Sequence, residues 1–100
     1  MIHHVQIEGG LVIVALKGKI YVDEATVIRE KLFRYLEQGY NEFVFHLFDV
    51  DYIDSSGLGV LVAVQKRALQ AGGGVTIKGL QGEVKKLFEL TRLTKVFAIE

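Results

Sequence analysis

Two adjacent serines, Ser55 and Ser56, follow the acidic stretch 49–54 and precede the uncharged run 58–64. The uncharged run indicates a helix, so the serines fall at its N-terminus. A hydroxyl at that position can cap the helix. It can also carry a phosphoryl group, because free N–H groups and the helix dipole favour an anion there. From these residues alone, capping by Asp54 or Ser55 and phosphorylation both stay open.

The two interpretations differ in what they do to a binding partner. A phosphate would add roughly −1.5 to −2 charges beside Asp51 and Asp54. We expect a small effect on folding, because the gain from the helix dipole and the repulsion from the carboxylates partly cancel. A partner that covers the site would have to bury an uncompensated charge, at a cost of several kcal/mol, and each ~1.4 kcal/mol is tenfold in affinity. Phosphorylation here would therefore act as a binding switch.

The same segment has two enzyme interpretations. A serine nucleophile needs a base, usually histidine, and the chain offers only His3, His4 and His46, without a Gly-x-Ser-x-Gly turn. Asp49 and Asp51 could hold a hard cation, as in magnesium-dependent phosphotransferases. No lysine-bearing loop or second acidic motif completes such a site. We therefore expect no enzymatic activity, no catalytic residues, no metal ligands and no cofactor.

Composition limits the class of protein. The chain has 100 residues, a formal net charge of zero, 50% hydrophobic residues and no cysteine. This length fits one compact domain over residues 1–100, and the balanced charge gives no field for nucleic acid or anionic lipid. The first residues lack a signal-peptide pattern, and no apolar run approaches the ~20 residues of a membrane span. We expect a cytoplasmic protein with no direct contact to membrane or nucleic acid.

A hairpin is predicted at the start of the chain. The β-rich segments 5–7 and 11–16 are separated by the pair Gly9-Gly10, which is typical of tight antiparallel turns. The second segment is almost entirely apolar, which indicates a strand inside the sheet rather than at its edge. Gly18 is expected to end this strand.

Three helices and three further strands are predicted after the hairpin. The helices have apolar residues three and four apart, at 23–38, 56–70 and 84–91. The strands are short apolar runs, at 43–48, 75–78 and 96–99. Residues 49–54 are expected to form a loop. The order β-β-α-β-α-β-α-β predicts an α/β fold, with a mostly parallel sheet that begins with an antiparallel hairpin and functional loops at the carboxyl ends of its strands.

Residues 58–64 carry no charge on any face of the predicted second helix. Complete burial of the helix would explain this pattern. Because hydroxyls that act must be accessible, we instead expect an exposed apolar patch beside the serines, which would mark a protein-binding surface. The members of this patch nearest to the serines are Leu58 and Val60.

The chain resembles the STAS domain family, in particular its bacterial anti-sigma-factor antagonists. The resemblance depends on the string Asp-Ser-Ser-Gly-Leu-Gly-Val-Leu at 54–61 after an apolar strand. Gly18 after the second strand and the segment 84–97 reinforce it, so the similarity covers nearly the whole chain in order. It implies the STAS fold and a regulatory function in transcription.

The resemblance also implies a mechanism. An unphosphorylated antagonist binds an anti-sigma factor that is itself a serine kinase, phosphorylation ends the binding, and a serine phosphatase resets the protein. The phosphorylated residue of the family matches Ser56, with Ser55 as the second choice. The residues expected to meet the partner are Asp23, Asp51, Asp54, Ser55, Gly57, Leu58 and Val60.

One departure from the family pattern keeps an alternative open. Many antagonists have an aspartate three residues after the glycine that corresponds to Gly18, and this chain has Tyr21 there, with Asp23 as the nearest aspartate. The loop lies near the partner surface in the family. The alternative is therefore a STAS module that is not phosphorylated and acts in a signalling assembly or senses a ligand.

Overall fold

The chain begins with a two-stranded hairpin of β1 (Ile2–Glu8) and β2 (Leu11–Ile20). Gly9 and Gly10 form the two-residue turn, with φ of 56° and 87°. Both values lie in the left-handed region that glycine adopts without a steric penalty, as a type I′ turn requires. The strands pair antiparallel, which confirms the predicted hairpin.

The hairpin is the first part of a five-stranded sheet. The computed structural model describes residues 2–100, and His3 by its backbone. The remaining strands are β3 (Glu42–Ile53), β4 (Gly74–Lys78) and β5 (Ala98–Ile99). The strand order is β1-β2-β3-β4-β5, and every pair after the first is parallel. The predicted α/β fold and its element order are confirmed, and β2 lies inside the sheet as expected.

Three helices connect the parallel strands: α1 (Val22–Glu37), α2 (Ser55–Gln70) and α3 (Gly82–Leu90). Each crossover moves one strand along the sheet in the same direction, so right-handed connections, the general rule, would put the helices on one face; α1 and α2 pack against each other, and α3 packs against β3. None of the helices in the described part of the chain is long and apolar enough to span a membrane.

The core lies between the sheet and this helical layer. Along β2, Val12, Val14 and Leu16 are at most 2% exposed, whereas the residues between them are half-buried. This alternation is the period-two pattern of a sheet that is covered on one face. The largest side chains in the core are Phe43, Phe45, Phe88, Leu16, Ile20, Leu32, Leu47, Ile53, Leu61 and Ile77.

Strand β3 is longer than predicted, and this changes the interpretation of the acidic segment. The expected loop at 49–54 is wrong for all but Asp54, because β3 continues to Ile53. Gly18 does not end β2 either. Irregularities in the pairing let β2 continue beside β3, with Lys17 opposite Asp49 and Ile20 opposite Ile53. The extra ladder hydrogen bonds hold the acidic segment extended.

The last predicted strand is shorter than expected. Instead of a strand over 96–99, the chain forms a 3-10 turn at Leu93–Lys95 and then the two-residue β5. The Val96 carbonyl accepts a hydrogen bond from the Gln65 side chain, which ties this segment to α2. Phe97 is buried against Phe88, with ring centroids 6.0 Å apart.

Candidate functional site

The N-termini of α1 and α2 meet at the carboxyl ends of β2 and β3. The Asp54 N–H donates to the Ile20 carbonyl at 3.1 Å, which joins the two strand ends directly before each helix begins. Ser55 and Ser56 follow at once as the first residues of α2. In parallel sheets this is the end where loops and helix N-termini form binding sites.

Asp54 is the N-cap of α2. Its carboxylate accepts from the Gly57 N–H at 3.1 Å, and its carbonyl accepts from the Leu58 N–H at 3.0 Å. The capping question left open by the sequence is therefore answered in favour of Asp54. The N–H groups of Ser55 and Ser56 have no hydrogen-bond partner among residues 2–100.

The two serines differ in exposure. Ser55 is exposed, whereas Ser56 is partly buried. Neither hydroxyl is hydrogen-bonded to another group in the described part of the chain. The site therefore has two unbonded hydroxyls beside two unbonded backbone N–H groups at the positive end of a helix, which is an arrangement suited to an anionic group.

Gly57 allows α2 to lie close to the sheet. A Cβ at this position would be 2.5 Å from Ile53 Cγ1, closer than side-chain carbons pack, and 3.0 Å from Ile20 Cγ2, which is tighter than most such contacts. These isoleucines are the last residues of β3 and β2. The absence of a side chain at Gly57 therefore fixes the distance of the serines from the ends of both strands.

The expected exposed apolar patch on α2 is wrong. Leu58 is 8% exposed and Val60 is 7% exposed, and Gly57 is buried as well. The reason is that α2 packs against α1 as well as against β3 and β4, so its apolar side chains are covered on more than one face. These three residues, predicted to meet a partner, lie in the core.

Two tyrosines contribute to the exposed apolar surface at this end of the molecule, together with Val22, the first residue of α1. Tyr21, the N-cap of α1, and Tyr52, near the end of β3, have ring centroids 5.8 Å apart and are 45% and 42% exposed. Aromatic rings at this spacing attract each other. The sequence does not point to Tyr52, because the acidic residues around it predict a loop. The pairing of Tyr52 with Lys19, which sets its position, depends on the length of β3.

The predicted aspartates are distributed around the site. Asp51 lines a cleft of about 400 Å³ together with Asp49, Glu24, Lys17 and Lys19. The cleft therefore has charges of both signs in its lining, without a large excess of one.

Asp23 lies on the other side of the α1 N-terminus. It stands in the first turn of α1 and lines a second groove, which also includes Val27 and Lys31. The structure thus brings Asp54, Ser55 and Ser56 together, and it holds Asp23 and Asp51 in separate depressions beside them.

His46, one of the histidines considered as a base, lies far from the serines, whereas the side chain of His3 is outside the described residues. His46 is eight residues before Asp54 on β3, about 25 Å along an extended strand. It is exposed, between the buried Phe45 and Leu47, so it lies on the sheet face opposite the helices. Within residues 2–100, no group of three or more His, Asp or Glu side chains is arranged to hold a metal ion.

Comparison with known proteins identifies the family. The model of the STAS domain matches residues 4–100, and the chain belongs to the STAS domain family. A relative in this family is the anti-sigma-B factor antagonist of Bacillus subtilis, which is 38% identical over 86 residues. That alignment covers 86% of this chain and 78% of the relative. The resemblance inferred from the segment 54–61 is confirmed.

Solved structures have the same fold. A Thermotoga maritima protein assigned as an anti-sigma factor antagonist has a TM-score of 0.90 and 28% identity, over 96% of this chain and 83% of that one. SpoIIAA of Bacillus was solved in unphosphorylated and phosphorylated forms. Both forms give a TM-score of 0.80 over 97% of this chain, and they cover 86% and 89% of SpoIIAA at 16% and 17% identity.

Proposed function

We propose that this protein is an anti-sigma factor antagonist that is switched by phosphorylation of Ser56. In its unphosphorylated form it binds an anti-sigma factor with serine kinase activity, and the phosphorylated form is released. The observation that carries the proposal is the start of α2, where the serine hydroxyls and N–H groups have no hydrogen-bond partner in the described part of the chain and no acidic residue occupies the first turn. The 38% identity to the Bacillus subtilis antagonist supports it.

The physical effect of the phosphate depends on where the charge lies. Within the free protein, the α2 dipole and the N–H groups of Ser55 and Ser56 stabilise it, while Asp54 repels it. These effects oppose each other, so the fold should persist. In a complex, the same charge would be buried under the partner without compensation, which costs several kcal/mol. The switch therefore acts on binding and leaves the fold intact.

The choice between the serines combines two lines of support. Exposure favours Ser55, because a kinase reaches an exposed hydroxyl more easily. The family motif favours Ser56, and the phosphorylated form in which SpoIIAA was solved supports the expectation that this fold can carry a phosphate. We propose Ser56 as the acceptor and keep Ser55 as the second choice.

The partner surface should consist of the exposed groups around the switch. Asp23, Asp51, Asp54 and Ser55 are accessible to a partner, and the Tyr21–Tyr52 pair adds apolar area between the two helix N-termini. The predicted contacts of Gly57, Leu58 and Val60 are indirect in this proposal. Their burial supports the helix that presents the serines.

The remaining elements of the proposal concern the cell. A serine phosphatase would remove the phosphate and restore binding. The protein would act in the cytoplasm, where sigma factors and their regulators meet, and it would contact neither DNA nor membrane itself. It would have no catalytic activity of its own.

A second candidate function is a STAS module that binds its partner without phosphorylation. The Tyr21–Tyr52 pair favours this alternative, because Tyr21, which stands where many antagonists have an aspartate, is part of an exposed aromatic pair. In that case binding would be lost in Tyr21→Ala and unchanged in Ser56→Asp. If the protein is instead an antagonist switched by phosphorylation, Ser56→Asp should weaken binding of the partner.

Phosphate transfer tests the proposal most directly. The protein is incubated with ATP and each serine-kinase anti-sigma factor of its own cell, and any phosphate is located by fragment mass spectrometry. Ser55→Ala and Ser56→Ala serve as matched variants, since both keep the Asp54 cap. We expect transfer to the wild type and to Ser55→Ala, and none to Ser56→Ala. Absence of phosphate on the wild type with every kinase would contradict the proposal and favour the unphosphorylated module.

A further inference from the structure

The hairpin leaves one long strand edge without a neighbour. Strand β1 is at the end of the strand order and pairs only with β2 among residues 2–100. The Gly9-Gly10 turn closes on the pair between Glu8 and the first residue of β2, and the closing pair of a two-residue turn is hydrogen-bonded. Such pairs alternate with non-bonded ones, so the N–H and C=O groups of Val5 and Ile7 point away from β2.

The helix-side face of this edge is apolar. Val5 and Ile7 pair with Val14 and Val12, both 0% exposed, so their side chains lie on the face that the helices cover. A groove of about 610 Å³ separates β1 from α1, and Val5 and Val27 contribute to its lining. Ile7 is 41% exposed and Val27 is 61% exposed, so this apolar surface is accessible along the strand.

The other face of β1 is polar, and its sequence is complementary to itself when reversed. His4, Gln6 and Glu8 are exposed and alternate with Val5 and Ile7, and His4, which follows an irregularity in the pairing of β1, also contributes to the lining of the groove. When a second copy runs antiparallel with its Ile7 opposite Val5, Gln6 meets Gln6 at the two-fold axis and His4 meets Glu8 on each side. An imidazole N–H donates to a carboxylate, and two amides can bond each other, so each polar residue has a suitable neighbour.

We propose that the protein forms a two-fold dimer in which β1 pairs with β1 of a second copy in this register. The register uses the outward N–H and C=O groups of Val5 and Ile7 in both copies and brings their side chains together above the groove. With Val5 opposite Val5 instead, His4 would face Gln6 and Glu8 would face Ile2, which leaves the carboxylate unmatched. The complementarity of the strand with itself is the reason to assign a second copy as the occupant. The dimer does not depend on Ser56.

The pairing is expected to be weak. One strand edge and its groove form a small interface compared with the ~1,600 Å² typical of stable complexes. Association should therefore depend on concentration, with the monomer and the dimer in exchange. Sedimentation velocity from roughly 5 to 500 µM covers the affinity range of such interfaces. A wild-type protein that stays monomeric over this range would overturn the proposal and leave the edge to a strand of another protein.

A charge exchange tests the register. His4→Glu places two carboxylates opposite each other on both sides of the axis, and we expect dimer affinity to fall about tenfold. Adding Glu8→Lys restores an opposite-charge pair, and the double variant should return to within about threefold of the wild type. Both positions are exposed, so the monomer should keep its fold. A double variant as weak as His4→Glu would contradict this register.

Cross-linking tests the two-fold axis itself. The chain has no cysteine, so Gln6→Cys introduces a single thiol. Opposite Cβ atoms of a non-bonded pair are about 4.5–5.5 Å apart, close to the disulfide range. Under mild oxidation we expect covalent dimers of Gln6→Cys at concentrations where Gln38→Cys, exposed after the end of α1, remains monomeric. Equal cross-linking of both variants would show random collision and overturn the proposal.

Discussion

The N-termini of α1 and α2 lie side by side, yet their first turns differ in charge. The first turn of α1 contains Asp23 and Glu24, and the Glu24 carboxylate accepts from the Tyr21 N–H at 2.8 Å. The first turn of α2 contains no acidic residue. Its only carboxylate is the cap, Asp54, which accepts from the Gly57 N–H at 3.1 Å.

The positive end of the helix dipole is therefore compensated in α1 and is left available to an anion in α2. In α1, side-chain carboxylates already compensate the positive end of the helix, and the result is stability. In α2, the serine N–H groups and hydroxyls remain unbonded, and a negative charge can still be accommodated. A permanent acid in this turn would give some stability and would remove the contrast between modified and unmodified forms.

The largest expected effect is on partner binding at the α2 N-terminus. Ser56→Asp should weaken binding of the anti-sigma factor by about 100-fold, or about 2.8 kcal/mol, because the charge is buried in the complex. Ser56→Ala adds no charge and should bind like the wild type. Isothermal titration of both variants against the same partner measures the difference. Equal affinities of the two variants would show that a negative charge at the N-terminus of α2 does not control partner binding.

The next effect is on the packing that positions α2. Gly57→Ala should lower the free energy of unfolding by about 2 kcal/mol, since its Cβ would collide with Ile53 and Ile20. Gly59→Ala is the matched control two residues later, where a Cβ meets nothing within 4 Å. This control should raise stability by about 0.5 kcal/mol through helix propensity. Urea unfolding of both variants tests the pair, and a loss in both would contradict the close approach at Gly57.

Removal of the capping carboxylate should destabilise the protein more at α2, where Asp54 is the cap, than at α1, where Glu24 bonds the Tyr21 N–H. Asp54→Ala should cost about 1 kcal/mol, because it removes the hydrogen bond to the Gly57 N–H at the helix start. Asp54→Asn keeps a hydrogen-bond acceptor at the N-cap, so it should lower the free energy of unfolding by only about 0.3 kcal/mol. Glu24→Ala should cost about 0.5 kcal/mol, since the Tyr21 N–H can bond to water at its exposed position. Thermal unfolding followed by circular dichroism measures all three, and an equal cost for Asp54→Ala and Asp54→Asn would exclude a capping role.

The smallest effects probe the charge of each first turn directly. Asp23→Asn should destabilise the protein by about 0.3 kcal/mol, because a favourable charge at the α1 dipole is lost. Ser55→Asp adds such a charge to α2 and should stabilise it by a smaller amount, because the neighbouring Asp54 carboxylate repels it. Both effects should shrink at high salt, since these groups are exposed. Urea unfolding at low salt and at about 1 M salt measures these stability changes. Stability changes that are the same at both salt concentrations would indicate a non-electrostatic cause.

The order of elements could be predicted because each has a strong local signal. Gly9-Gly10 between β-rich segments defines the hairpin, and the apolar periodicity of each helix survives in the structure. The position of the serines at the start of α2 followed from the uncharged run after them. The family was recognisable from the segment 54–61 and from the order of the elements around it.

The site's surroundings could not be predicted, because they depend on pairing between distant residues. Asp49 and Asp51 have poor strand propensity, but the continuation of β2 past Gly18 supplies the neighbour that holds them extended. That extension brings Tyr52 to Tyr21. The burial of Val60 depends on α1 covering a second face of α2, which hydrophobic periodicity along one helix does not reveal.

The sheet also has a consequence for synthesis on the ribosome. Its strands are arranged in the order in which they are translated, from β1 to β5. Each emerging strand therefore finds its neighbour already exposed at the growing edge, and no interior strand has to wait for a distant segment. The hairpin, α1 and β3 can associate before α2 has left the exit tunnel, and later units add to them one at a time. With no proline in the chain, no prolyl isomerisation should delay these steps.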